Sequence, residues 1–371
     1  MKRNNEIQSL RAIAMLLILV GHMPIALPGR LLHGYSFVSL FLAISGYFAA
    51  LQFKRKYDGK GLSGAVIAKR EILNKFFRLF PLMYIWIAIY FVTGWIITAL
   101  GGQYGDMGRW LAEIKASLLL TYNYYLAGLD IGGLFGQYWT LFVEIHFFAI
   151  FLIAFILLKK HNSRIVFSAA MVVLTVFVLR PLTPVKLIRY ATLAQLDSLF
   201  CGVLLGLCCD PDKKYLQSLR IPGFVKCVIG LVLIALTLLS GYHFDVHYND
   251  PNVKYFVYTT LCTVILFLAR ENDGWFRYGK VIDAVLKWCG DASASTYVSH
   301  VLLYSCIYYN VYTYTSWIPE TIKVTSWGII LQVVGLLVGA CLVGRISYLV
   351  IEKPFAALSR KVLAKLDPPV H

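Results

Sequence analysis

Glu6-Ile-Gln-Ser-Leu-Arg-Ala-Ile-Ala-Met-Leu-Leu-Ile-Leu-Val-Gly-His22, followed by Met23 and Pro24, is an apolar run with an arginine near its start and a histidine near its end. In an α-helix the eleven steps from Arg11 to His22 make three full turns plus roughly 20° and rise roughly 16 Å. The two polar side chains then share one stripe, with Gln8, Met15 and Ile18 on or close to it. That stripe sets a fixed positive charge near one membrane surface and a titratable imidazole near the other. Ionisable groups inside a span are costly and usually face a polar cavity in the bundle. Two plainer readings stand beside this one: Arg11 as an anchor snorkelling to the headgroups, and His22 as an interfacial helix end. Their shared face weighs against both.

Working outward, 59% of the 371 residues are hydrophobic and only 15% are charged, which no ordinary soluble domain matches. Several runs of 18 or more apolar residues indicate a polytopic membrane protein. The first run reads as a permanent span, because no small-x-small cleavage site follows it. Lys and Arg exceed Asp and Glu by 16. These basic residues sit mostly in short loops, where they orient spans, so no nucleic-acid partner is expected. The eight cysteines lie in or beside apolar runs without a C-x-x-C pair, and neither a disulfide framework nor a metal site is indicated.

The expected fold is all-α: a single membrane domain over 1–371 with about ten transmembrane helices. The spans fall near 8–27, 34–53, 79–100, 138–158, 165–181, 191–209, 223–241, 253–269, 292–312 and 324–350. About a dozen apolar residues near 114–125 suit a short re-entrant or interfacial helix instead. Ala68–Arg78 reads as a basic amphipathic interfacial helix ahead of Pro81 and the third span. With ten spans both termini are cytoplasmic, as are the basic loops from Lys54 to Arg78, Lys159 to Arg164, Lys213 to Arg220 and Arg270 to Lys287. The outer loop from Gly241 to Asp250 has no Lys or Arg. Arg180, Lys186 and Arg189 break the bias, and are candidates for binding something anionic on the outer side.

Few acidic residues lie in the spans. Glu144 and Asp197 both fall roughly two turns or less inside the outer surface, the depth of His22. Thr140 and Glu144 are one turn apart and share a face, while His146 points elsewhere. A buried carboxylate needs a cationic or hydrogen-bonding partner, and the leading candidates for Glu144 are His22 and Arg11. Asp197 equally suits a helix-bonding role, and His146 a packed, hydrogen-bonded one. His300 sits mid-span with Tyr297 and Tyr304 within a turn on either side, either lining the same cavity or stitching helices together.

Seven ordered elements resemble the signature of the membrane acyltransferase family 3, from residue 6 to 360. They are Glu6–His22, Phe41-Leu-Ala-Ile-Ser-Gly46, Phe77-Arg-Leu-Phe-Pro81, Trp139-Thr-Leu-Phe-Val-Glu144, Leu196-Asp-Ser-Leu199, Ser295-Thr-Tyr-Val-Ser-His300 and Ile351-Glu-Lys-Pro-Phe355. Thr140 stands where the family usually has Ser, and Ile145-His146 departs from its pattern after the glutamate. The resemblance implies ten spans, acyl-coenzyme A as a cytoplasmic co-substrate with no permanently bound cofactor, and transfer of a small acyl group, usually acetyl, to a carbohydrate hydroxyl. It implies His22 as catalytic histidine, Glu144 in support, Arg11 as a cofactor-interacting or structural arginine and Arg78 toward the cofactor, while the basic run before Pro81 adds Lys75 for the cofactor's phosphates. Asp197, Trp139, Thr140, Tyr297 and His300 are expected in substrate-binding or supporting positions. A bacterial inner-membrane location follows, in the stand-alone form without a fused hydrolase-like domain. The expected partners are acyl-coenzyme A, a carbohydrate or glycolipid acceptor and membrane lipids.

The residues fit that chemistry independently. Acyl transfer to an alcohol needs a base for the hydroxyl proton, and imidazole titrates near neutrality. A neighbouring carboxylate orients the ring and stabilises the imidazolium. His22 as general base and His22 as transient acyl acceptor are both compatible with the sequence. A proton-coupled transporter of an anion or sugar is the alternative, since intramembrane Arg, His, Glu and Asp describe that class too.

Overall fold

The computed structural model describes residues 4–25, 34–102, 104, 107–129, 133–248, 250–314 and 316–365. In chain order the principal helices are α1 Asn5–Gly21, α2 Val38–Tyr57, α3 Gly64–Ala99, α4 Met107–Leu118, α5 Tyr122–Ala127, α6 Trp139–Leu157 and α7 His161–Leu174. They continue as α8 Leu196–Cys208, α9 Gly223–Val246, α10 Pro251–Arg270, α11 Lys280–Asp291, α12 Ser293–Val301, α13 Ser326–Ser347 and α14 Lys353–Ala364. No strand occurs among the described residues.

Among the described residues seven helical stretches are long and apolar enough to cross a membrane: Gly34–Tyr57, Gly64–Ala99, Gly136–Leu157, His161–Leu182, Gly223–Val246, Pro251–Arg270 and Ser326–Ala364. The protein is an all-α integral membrane protein. The other three expected spans are helical as well. The first, α1, covers 17 residues, and positions 26 and 27 lie outside the described residues, as does Asn249 in the Gly241–Asp250 loop. The second, α8, is a shorter apolar helix of 13 residues. The third starts as α12, which is polar in sequence, yet Ser293, Ser295, Thr296, Ser299 and His300 are all buried. Such a helix survives in an apolar surround only by turning these groups onto protein.

Two local expectations change. The interfacial segment Ala68–Arg78 does not end before Pro81 but forms the first part of the continuous 36-residue α3. Ser63 accepts from the Val66 amide to start it, and Pro81 removes one backbone donor without stopping the helix. At 1.5 Å per residue α3 is about 54 Å long, well beyond a hydrocarbon core of about 30 Å, so its basic leading turns have length to spare outside that core. The apolar piece near 114–125 is two helices, α4 and α5, parted at Leu120 with φ +59°.

Residue contacts divide the chain into two compact units. One comprises Met1–Gly21, Leu27–Gly61 and Thr140–Asp291; the other comprises His22–Ala26, Leu62–Trp139 and Ala292–His371. Within the first, α2 and α8 cross backbone to backbone. A Cβ on Gly46 would lie 1.9 Å from Leu199 O, and one on Gly202 would lie 1.9 Å from Ala43 O. Small residues permit this approach, and van der Waals packing then replaces a hydrophobic drive that lipid cannot supply.

At one end of the same unit the turn after α10 is tied down. Asn4 donates to the carbonyls of Ala269 and Arg270, and the Glu6 carboxylate accepts from the amides of Gly274 and Phe276. Asp273 pairs with Lys226 at 2.6 Å and Lys214 at 3.0 Å. Burial opposes ionisation of this carboxyl, but the two ammonium groups prevail and hold it below the usual aspartate range. A depressed carboxyl contributes stability above its unfolded value, about pH 3.9, and loses it as pH falls through the folded value. Hydrogen exchange of residues 271–279 should therefore be constant from pH 8 to 5 after correction for intrinsic rates, and should accelerate below about pH 4; acceleration already at pH 6 would refute the assignment. Asp273→Asn should remove the share of that acid dependence carried by the Lys226 and Lys214 pairing and leave the share that Glu6 carries through the Gly274 and Phe276 amides.

Candidate active site

His22 falls in the second unit, one residue past α1, and its ring meets that of His300 in an edge arrangement with centroids 5.0 Å apart. His22 is half-buried and His300 is fully buried. Tyr297 and Tyr304 flank His300 at 5.8 and 5.7 Å between centroids. The spacing of three and four residues on α12 and its continuation puts all three rings on one side.

The proton on His300 can be placed. Its Nδ1 lies 2.8 Å from the Tyr297 carbonyl, and a carbonyl only accepts, so Nδ1 is the donor. In the neutral ring Nε2 is then the lone-pair nitrogen. It is buried and has no hydrogen-bond partner. A buried acceptor left open is costly in a scaffold and useful where a proton has to be received.

The motif around this histidine is held at each of its other members. Ser295 donates to Glu352 Oε2 at 2.8 Å, which joins the Ser295–His300 element to the Ile351–Phe355 element. The Tyr297 hydroxyl donates to the Gln137 carbonyl at 2.9 Å. On the same unit, Trp86 donates to Ser347 Oγ at 2.8 Å.

Asp197, on α8 in the first unit, is fully buried. One oxygen pairs with Arg180 Nη2 at 2.5 Å, and the other accepts from Thr259 Oγ1 at 2.9 Å. Because the Thr259 hydroxyl is spent on the carboxylate, Ser198 Oγ, 2.6 Å away, is the donor to Thr259. Arg180 also donates to the Ala194 carbonyl and packs over Tyr255. The pair accounts for Arg180 within the outer-side exception to the charge bias. Of the other two, Lys186 is exposed and Arg189 stacks 4.7 Å from the Tyr35 ring centre.

Arg11 and Glu144 are half-buried members of the first unit, on α1 and α6. Trp139 and Thr140 open α6 and are buried. His146 meets Thr192 Oγ1 at 2.7 Å, the packed and hydrogen-bonded role open to it. Lys75 is half-buried and Arg78 exposed, one turn apart on the leading half of α3.

The structure adds residues that sequence reasoning passed over. Tyr90 and Gln137 are buried in the wall behind α12. Gln137, two positions before Trp139, offered the weak signal of an amide beside an apolar run. Tyr90 offered none, being one of 24 tyrosines.

A helical membrane protein with two imidazoles in contact, one with a fixed tautomer and an open acceptor, is of the class equipped to move protons at a buried site. Its family is direct: a model described as an acyltransferase domain matches residues 4–348, and the chain belongs to this acyltransferase-3 family. The protein is a membrane acyltransferase, which decides between the enzyme and the transporter. No curated protein and no solved structure matches the chain.

Proposed function

We propose that the enzyme moves an acyl group, most simply acetyl, from cytoplasmic acyl-coenzyme A to a hydroxyl of a cell-surface carbohydrate or lipid-linked glycan. The observation that carries the site is the contact of His22 with a His300 whose Nε2 is buried and open. In this reading His22 takes the proton of the acceptor hydroxyl. The alkoxide oxygen attacks the thioester carbonyl, the new ester forms as the carbon–sulfur bond breaks, and the thiolate leaves to be protonated. His300 orients it: the ring contact sets His22 beside a His300 that carries a buried Nε2 lone pair. This is the orienting task that a carboxylate performs in a hydrolase triad.

Glu144 and Arg11 retain the roles the resemblance implies, in support of catalysis and toward the cofactor. Lys75 and Arg78 supply charge for the phosphates of coenzyme A, a task that exposed basic side chains can meet. A bacterial inner membrane with both termini in the cytoplasm suits the basic loops. Asp197 is assigned to the packing of its own unit.

The test is thiol release from acetyl-coenzyme A by the purified protein in lipid nanodiscs, with a panel of monosaccharides, oligosaccharides and undecaprenyl-linked sugars. Acceptor-dependent release, with acetyl ester found on the sugar by mass spectrometry, is the expected result. Release with succinyl-coenzyme A alone would replace acetyl by succinyl. Release with neither donor, from protein shown to be folded, would end the carbohydrate reading.

A further inference from the structure

The helix that carries His300 is opened at the turn containing it. In an unbroken α-helix the Leu302 amide would donate to the Val298 carbonyl, four residues back. Here α12 passes into a π-helical segment, Leu302–Tyr308, and the Leu302 amide donates instead to the Tyr90 hydroxyl at 2.8 Å. The Val298 carbonyl accepts from Gln137 Nε2 at 2.9 Å and from the Tyr90 hydroxyl at 3.3 Å. Gln137 Nε2 also donates to the Tyr90 oxygen at 2.8 Å. One phenol thus sits inside the helical ladder, with its single proton and both lone pairs used. A side chain inserted in the ladder is a recognised cause of such a break, and π turns recur at functional sites.

The backbone on both sides of His300 is held by this insertion. Val298 and Leu302, two positions to either side, bond Tyr90, while Tyr297 donates its hydroxyl to the backbone of Gln137. The Tyr297 carbonyl is the acceptor that fixes the His300 tautomer. We infer that Tyr90, with Gln137, is the positioning residue for His300: its hydroxyl replaces one helical hydrogen bond and so sets the ring that meets His22. The inference rests on the His22–His300 reading above. It requires no contact of Tyr90 with substrate.

Tyr90→Phe removes one oxygen and lets the Leu302 amide return to the Val298 carbonyl. Because both freed backbone groups regain a partner, the fold should persist with a thermal midpoint near that of the parent. The probe is protein carrying [15N]-histidine in nanodiscs, with the His300 ring signals assigned by their loss in His300→Asn. The parent should show His300 as the Nδ1–H tautomer, and Tyr90→Phe should shift or exchange-broaden those signals. With acetyl-coenzyme A and the acceptor found above, kcat should fall on the order of 10–10²-fold, with KM for the donor changed by less than about twofold if binding is untouched. Gln137→Leu, which leaves the phenol in place, should perturb the same signals less, and it decides the matter if Tyr90→Phe does not fold.

Unshifted His300 signals in both variants, with kcat at the parental value, would overturn the inference. The two layers fail separately. If His22→Ala and His300→Asn keep full turnover while Tyr90→Phe moves the His300 signals, positioning stands and the catalytic reading falls. If those histidine variants abolish turnover and Tyr90→Phe changes nothing, the catalytic reading stands and Tyr90 is only packing.

Discussion

His22→Ala should lower acceptor-dependent thiol release from acetyl-coenzyme A by about 10²–10⁴-fold, the range that a positioned acid–base group contributes. The loss should fall on kcat and kcat/KM together, because the proton is shared only in the transition state. His300→Asn should cost less, on the order of 10-fold or more, since it removes an orienting acceptor and leaves the base. Combining the two should add little to His22→Ala alone, because residues acting as a unit are strongly non-additive. A full additive loss would separate them, and parental turnover in His22→Ala would remove the site altogether. The ring contact of 5.0 Å makes this coupling a structural expectation and not a matter of shared spacing in sequence.

Removing one half of the Arg180–Asp197 pair should be the most destabilising single change in the first unit. Both side chains are fully buried, so Arg180→Ala or Asp197→Ala strands a charge without water to solvate it, a cost of about 3–5 kcal/mol. Replacing both by apolar residues, Arg180→Met with Asp197→Leu, removes the two desolvation penalties together and should recover most of that loss. The measurement is the thermal midpoint of each variant in the same nanodiscs, with turnover recorded alongside. A double variant as unstable as the worse single one would show that the pair contributes net stability through its hydrogen bonds to Ala194 and Thr259. A stable double variant without turnover would return Asp197 to the catalytic machinery.

The long helices were legible as apolar runs, and three of them carry a start signal of their own. Ser63, Asp250 and Thr325 accept from the amides that open α3, α10 and α13, and lipid leaves no alternative to internal hydrogen bonding. Where a local signal competed with the run, the run prevailed: Pro81 reads as a stop, yet α3 passes through it. The piece near 114–125 went the other way, since its apolar pattern continues across Leu120 while the backbone turns.

At the candidate site, His22 and His300 were both legible as residues that membrane spans rarely tolerate, and so were Asp197 and Arg180. Composition alone reports that a polar group is costly in lipid, but not which other group relieves the cost. Asp197 found Arg180, seventeen positions earlier on the same unit, where a place beside the substrate had stood equally open. Tyr90 and Gln137 were beyond reach because tyrosine and glutamine are unremarkable at a helix surface; what distinguishes them is insertion into a ladder that belongs to another helix.

Hydropathy, charge bias and seven ordered motifs by themselves determined an α-helical membrane acyltransferase, because insertion into lipid depends on the chemistry of each segment taken alone. Tertiary structure decided the pairings: His22 with His300, Ser295 with Glu352, Asp197 with Arg180, and a phenol in place of a backbone bond. Those are energies between separate elements of the chain, and they exist only once packing has brought the groups into contact in a medium that offers them no water.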